Sequence, residues 1–326
     1  MRWLIVGHGK ITSNFIDAAR GIGHQVVAVA GRNSERASNF AIKNEIEKSG
    51  EDLLLLSEGV DAAYIATPHS KHCNAAITLL ENGVPVLCEK PLAVNQREVE
   101  RMINAAEESK IFLMEAMWTR HLPIYEKVAD HIKKGRIGEP KLVEASLGFN
   151  SPYDPKSRLW DPKLAGGSLL DVGIYPLTLA DLIYETSPEK ILSLAELSPD
   201  GVDAHLSLLI QYPNSSLAKL GSAINLSLPN GGLIVGESGS IEIPYFWCAQ
   251  KAFFTQVSNK EEISEPHQIN GFEYQIQEVN RCLSEGLTQS PKVSWECSRS
   301  MTQLMDQIRH QIGVRYPADS EDQDGI

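Results

Sequence analysis

Residues 3–12 constrain this chain more than any other stretch. Trp3-Leu4-Ile5-Val6 is a continuous apolar run with no polar alternation, as in a strand buried on both faces. It ends in Gly7-His8-Gly9, and apolar Ile11, Phe15, Ile16 and Ala19 then recur at helical spacing to about Arg20. A buried strand, a glycine turn and an amphipathic helix form the first half of a βαβ unit, the context that a dinucleotide fingerprint requires. In that reading Gly7 permits the tight turn. Gly9, Lys10 and Ile11 bring backbone to a pyrophosphate at the helix N-terminus. Thr12 stands where the third glycine would be.

The pattern continues for about 120 residues. Apolar strands are expected at Val26–Ala30, Ala62–Ala66, Pro85–Cys88 and Ile111–Met117, with helices between them that open on Asn33 and Asn95 as N-caps. Lys43 to Asp61 is short and acidic, so the third strand of a doubly wound sheet is expected to be degraded or missing. Beyond a helix at Pro123–Lys134, strand-like stretches dominate: 141–149, 191–196, 204–211, 218–227, 232–235, 240–243 and 252–257. Helices are expected at 167–184, 272–285 and 296–312. The fold class is therefore an α/β Rossmann domain over residues 1–121, then an α+β domain over 122–316 with an open, mostly antiparallel sheet. An acidic disordered tail is expected over 317–326.

Composition narrows the partners. Asp and Glu number 42 against 30 Lys and Arg, a formal charge of −12, which disfavours nucleic acid or an anionic membrane as ligand. No apolar run approaches the ~18 residues of a membrane span. No secretory signal is expected from a start that runs directly into an apolar strand, and the five cysteines are scattered without a CxxC pair. A reduced, cytoplasmic protein without a metal site is expected. Much of the negative charge lies in residues 45–61, with six acids against Lys48, and in the tail, both outside every motif named here.

Two further segments carry chemistry. The second strand ends in Ala30-Gly31-Arg32-Asn33-Ser34, without the acid that usually binds a ribose 2′-hydroxyl. Arg32, Asn33 and Ser34 instead suit a 2′-phosphate, so NADP is expected over NAD. Cys88-Glu89-Lys90-Pro91 follows a strand, where side chains face a ligand crevice. Lys90 could bond a substrate hydroxyl or stabilise an alkoxide. In Gly166-Gly167-Ser168-Leu169-Leu170-Asp171-Val172-Gly173-Ile174-Tyr175-Pro176, Asp171 and Tyr175 are spaced i,i+4 on one helix face. A phenol exchanges protons near neutrality only if its pKa of ~10 is lowered, and an ammonium such as that of Lys90 would do so. Each residue also has a plain structural reading: Arg32 as a solvated loop residue, Lys90 in a surface turn, Asp171 complementing a helix dipole, Tyr175 in the core.

Taken together, the glycine turn, Glu89-Lys90-Pro91 and the Gly166–Tyr175 segment resemble the Gfo/Idh/MocA oxidoreductases, over nearly the whole chain. Glu115–Arg120, Phe246-Trp247, Gly271–Tyr274 and Ile312–Pro317 are similar to the dimeric dihydrodiol dehydrogenase branch, which includes NADP-dependent aldose dehydrogenases. The resemblance implies that Lys90, Asp171 and Tyr175 are catalytic. It implies that Thr67, Pro68, His72 and Glu89 join Lys90 around the cofactor, with His72 either near the nicotinamide or capping the following helix. It also implies substrate contacts from Trp118, Arg120, Phe149, Trp160, Trp247 and Phe272, and a homodimer formed through the second domain's sheet. The implied reaction is hydride transfer between NADP and the carbinol carbon of an aldose or cyclic trans-diol. A glucose–fructose-type enzyme with tightly bound cofactor and a non-catalytic NADP-binding sensor are the alternatives.

Overall fold

The computed structural model describes residues 1–257 and 259–320. It divides into two compact units: Met1–His121 with His267–Arg299, and Leu122–Pro266 with the chain from Ser300 onward.

The first unit is built on six parallel strands: β1 (Arg2–Val6), β2 (Gln25–Ala30), β3 (Lys48–Gly50), β4 (Ala62–Ile65), β5 (Val86–Glu89) and β6 (Leu113–Ala116). Their order, β3-β2-β1-β4-β5-β6, is that of a doubly wound Rossmann sheet, which reverses direction of growth between β1 and β4. The connecting helices are α1 (Lys10–Gly21), α2 (Ser34–Lys43), α3 (Leu53–Ser57), α4 (His72–Glu81) and α5 (Gln96–Ser109). Strands buried on both faces explain the unbroken apolar runs. One face of β1 and β4 packs Trp3 on Phe15 and Phe15 on Tyr64, the latter pair stacked at 3.9 Å. Leu4, Val6 and Ile65 lie in a separate cluster with Leu79, Met102 and Ile103. The third strand is present but has only three residues, Lys48-Ser49-Gly50, paired with Ala28–Ala30. Asn33 and Asn95 cap α2 and α5 through the backbone N–H groups of Arg36 and Glu98.

In the second unit, α6 (Pro123–Lys133) leads into β7 (Pro140–Gly148), and α7 (Ile174–Tyr184) precedes β8 (Lys190–Leu197), β9 (Asp203–Gln211), β10 (Leu217–Ala223), β11 (Gly231–Gly236), β12 (Ser240–Pro244), β13 (Lys251–Gln256) and β14 (Asn259–Ser264). The eight strands form one sheet in the order β14-β13-β12-β11-β7-β10-β9-β8, antiparallel except for the parallel pair of β7 and β10.

Two expectations need correction. The second domain is not one unbroken stretch from 122 to 316. The last helices are α8 (Phe272–Ser284) and α9 (Trp295–Ile312), and residues 267–299 belong to the first unit. There α8 packs on α1, the Leu113 N–H donates to the Thr288 carbonyl, and Trp295 Nε1 donates to the Leu113 carbonyl at 3.0 Å. The tail is not disordered from 317. Pro317–Asp319 form a helical turn, and Asp319 pairs with buried Arg309 at 2.7 Å. Residues 321–326 of the expected tail lie outside the described residues. Among those described, no helix is long and apolar enough to cross a membrane.

Candidate active site

In the first unit the glycine turn has the geometry that a dinucleotide requires. Gly7 sits at φ +99°, where a Cβ would fall 2.6 Å from the Ala66 carbonyl oxygen, so only glycine lets β1 and the end of β4 approach this closely. Gly9 is the N-cap of α1 with extended backbone and no side-chain cap, and a Cβ there would meet nothing within 4 Å. The first turn of α1, with exposed Lys10 and Ile11, therefore presents uncapped backbone to open space, a fit for a pyrophosphate. Thr12 is fully buried and its hydroxyl donates to the Gly7 carbonyl at 3.4 Å, so it packs the turn that a third glycine would otherwise pack.

Arg32, Asn33 and Ser34 follow β2 and are exposed. The expected positive field is not undiluted there: Glu51 accepts a hydrogen bond from the Ser34 backbone N–H at 2.9 Å. The acidic stretch thus reaches a motif it was expected to avoid.

The Lys90 turn is pinned at nearly every residue. Lys90 N–H donates to Glu89 Oε2 at 3.3 Å, Leu92 N–H to Glu115 Oε1 at 2.9 Å, and Val94 N–H to Glu98 Oε2 at 3.1 Å. Ser298 Oγ donates to the other Glu115 oxygen at 2.6 Å, and the Tyr64 hydroxyl donates to Glu89. The Lys90–Pro91 peptide is cis. Burial raises the carboxyl pKa values of Glu89 and Glu115, against the lowering effect of neighbouring Lys90 and these hydrogen bonds. His72 is fully buried, with Nδ1 3.0 Å from the Pro91 carbonyl and Nε2 3.0 Å from the Thr67 carbonyl. It does not cap α4, whose N-cap is Lys71 without a side-chain bond. Its ring ties the residues after β4 (Thr67 and Pro68) to the residues after β5. Burial lowers its pKa, and a neutral ring can donate to only one of the two carbonyls.

In the second unit Asp171 and Tyr175 are both buried, at 7% and 8% exposure. The expected single helix over 167–184 is a wide π-type turn, Leu169–Gly173, that runs into α7. Asp171 lies in that turn and Tyr175 near the start of α7. Such turns recur at functional sites. Asp203 anchors the turn: its Oδ2 accepts from Ser168 Oγ at 2.7 Å and from the Leu169 N–H at 2.6 Å. Gly167, at φ +117°, leaves room for the other Asp203 oxygen. Burial pushes the Asp203 pKa up to about 6 against the hydrogen bonds that lower it. Arg158 Nη1 donates to Asp171 Oδ1 at 2.8 Å.

The aromatic candidates separate. Trp118 and Phe272 pack together in the first unit, with ring centres 4.8 Å apart and Arg120 partly exposed nearby in sequence. In the second unit Phe149 is exposed after β7. Trp160 is buried, with Nε1 donating to the Pro152 carbonyl at 3.1 Å, and Trp247 is half-buried against Tyr245 and Phe246. The sequence reading assigned no role to Arg158, Asp203, Glu115, Glu98 or Glu51. Glu98 had a capping signal, three residues after Asn95, Glu115 lay in a motif quoted for the family and Glu51 in the acidic stretch, whereas Arg158 and Asp203 had no local signal.

Residues 1–117 match the family model described as an oxidoreductase family with an NAD-binding Rossmann fold, and residues 125–242 match the GFO/IDH/MocA C-terminal domain. The chain belongs to the Gfo/Idh/MocA oxidoreductases. It is 34% identical over 329 residues to trans-1,2-dihydrobenzene-1,2-diol dehydrogenase of Xenopus laevis, covering 97% of this chain and 99% of that protein. The mouse enzyme of the same name is also 34% identical, over 335 residues, with 98% and 99% covered. Among solved structures, aldose-aldose oxidoreductase from Caulobacter crescentus, complexed with glycerol, superposes with a TM-score of 0.86 at 22% identity, over 95% of this chain and 97% of that one. A 3-ketoreductase from Actinomadura kijaniata, in complex with NADP and TDP-benzene, gives 0.85 at 24% identity, over 96% and 98%. At these identities the structures establish a shared fold.

Proposed function

We propose that this protein is an NADP-dependent dehydrogenase of cyclic trans-diols or aldoses. The observation that carries the reading is the full-length similarity to trans-dihydrodiol dehydrogenases, in a chain whose own motifs contain Lys90, Asp171 and Tyr175. When bound, the nicotinamide supplies the hydride acceptor or donor. The α1 N-terminus holds the pyrophosphate, and Arg32, Asn33 and Ser34 receive the 2′-phosphate, while Thr67, Pro68, His72 and Glu89 shape the nicotinamide side. Tyr175 exchanges the proton of the reacting hydroxyl. Lys90 donates a hydrogen bond that stabilises the oxygen as it loses that proton, and Asp171, itself bonded by Arg158, helps to orient the hydroxyl and stabilise charge. Trp118, Arg120, Phe149, Trp160, Trp247 and Phe272 supply aromatic faces and a polar handle for a ring substrate.

Leu192, Leu194, Leu209 and Leu217 are exposed on β8, β9 and β10, with Leu192 opposite Leu209 across the ladder. This supports a homodimer through the sheet face. The cysteines, all free thiols, suit a reducing cytoplasm. The test is NADP⁺ reduction scanned over trans-dihydrodiols and aldoses, with NAD⁺ in parallel. Turnover of at least one class with preference for NADP⁺ supports the reading, and equal or better rates with NAD⁺ overturn the 2′-phosphate assignment. Cofactor that stays bound through desalting would favour the glucose–fructose type instead.

A further inference from the structure

Strands β2 and β3 end side by side. Ala30 pairs with Gly50, and the Gly31 N–H donates to the Gly50 carbonyl at 2.9 Å. The residue after β3, Glu51, is thereby delivered to the first turn of α2, where its Oε1 accepts the Ser34 N–H at 2.9 Å. Asn33 already takes the Arg36 N–H at 2.8 Å, so the two acceptors satisfy two of the donors at this helix start. Ser34, Arg32, Arg36 and Glu51 are all exposed, so the carboxylate is an accessible member of the group. The acid that β2 lacks at its end is supplied by its neighbour strand.

We infer that Glu51 is a specificity-determining residue that limits the preference for NADP over NAD. The inference rests on the cofactor reading above. A 2′-phosphate approaching Ser34 must displace a carboxylate of its own sign from the N–H group it would use. A ribose 2′-hydroxyl can donate to that carboxylate and leave it in place. Arg32 and Glu51 thus act in opposite directions on the same phosphate. Neutralising Glu51 removes the repulsion and leaves Arg32 and the Asn33 cap in place; in Glu51→Gln the amide oxygen can still accept the Ser34 N–H.

The test is a titration of NADPH and NADH, without substrate, against the wild type, Glu51→Gln and Glu51→Ala, with nicotinamide fluorescence as readout. Both variants change an exposed side chain, and a thermal melt confirms that each is folded. The dissociation constant for NADPH should fall on the order of tenfold in both, from the loss of one charge against a nearly dianionic phosphate. That for NADH should stay the same or rise a few-fold. An NADH-to-NADPH ratio within twofold of wild type in both variants would overturn the role of Glu51 alone. A wild type that binds neither dinucleotide would overturn the cofactor reading, and this inference with it.

Discussion

The Arg158 guanidinium donates to the Asp171 carboxylate at 2.8 Å, and the two lie on very different footings: Arg158 is about half exposed at its side chain, Asp171 only 9%. The partly solvated arginine therefore serves as counter-charge and orienting group for a nearly buried carboxylate. Removing the arginine takes away this ion pair, which perturbs the position of the carboxylate. Arg158→Ala should lower kcat by roughly tenfold to a hundredfold, the scale of a small misplacement in an active site. Dinucleotide affinity should be unchanged. Arg158→Lys should restore part of the rate. Steady-state kinetics with a nucleotide titration checks this, and a change confined to KM would mean that Arg158 contacts substrate instead.

His72 bridges the carbonyls of Thr67 and Pro91, so it holds the Lys90 turn from behind. His72→Phe removes the one N–H that the neutral ring donates and leaves a carbonyl beside it without that donor, at a cost of about 1–3 kcal/mol. Urea unfolding should report that loss. Turnover should fall with it, because Lys90 is next to the released carbonyl. His72→Gln, which keeps a donor, should recover part of both.

Asp203 and His121 predict pH effects of opposite sign. Burial raises Asp203 to about 6, so the folded state binds more protons than the unfolded state between about pH 4 and 6. The Asp203 contribution to stability therefore rises as pH falls through that window. Asp203→Asn should remove this contribution, because an amide oxygen can accept the same bonds from Ser168 and Leu169 without a charge to bury. At pH 7 the variant should be at least as stable as wild type, whereas Asp203→Ala should be less stable. Equilibrium denaturation at pH 5 and 7 separates the two.

His121 is 4% exposed with both ring nitrogens unpaired, and burial lowers its pKa to about 3 against the opposing pull of Glu278. The unfolded state takes up the proton first, so stability from this residue is present above about pH 6.5 and is lost as pH falls toward 3. His121→Phe, of similar size and without a proton to gain, should be near neutral at pH 7.5 and more stable than wild type at pH 5. Thermal melts at the two values give the comparison.

Local signals carried far in this chain, and tertiary ones did not. The strand, turn and helix over 2–21 follow from an apolar run, two glycines and a 3.6-residue period, and Asn33 and Asn95 announce their helices by capping chemistry. Lys48-Ser49-Gly50 has no apolar side chain to mark it as a strand. It pairs only because β2 presents an open edge. The return of residues 267–299 to the first unit depends on contacts such as Trp295 with Leu113, 182 residues apart, which no periodicity encodes. The catalytic candidates were legible as motifs, but their supports were not. Arg158 is 13 residues from Asp171, and Glu51 is 17 from Ser34, each in a stretch without pattern.

The central claim, that Lys90 and Tyr175 carry proton exchange and charge stabilisation in an NADP-dependent oxidation, is tested most directly by single-turnover reduction of NADP⁺. Wild type, Lys90→Ala and Tyr175→Phe are compared with a substrate found active in the scan, alongside NADPH affinity. Both variants should lose roughly 10²–10⁴-fold in hydride-transfer rate while still binding NADPH measurably. Rates near wild type in both variants, with cofactor bound, would contradict the account.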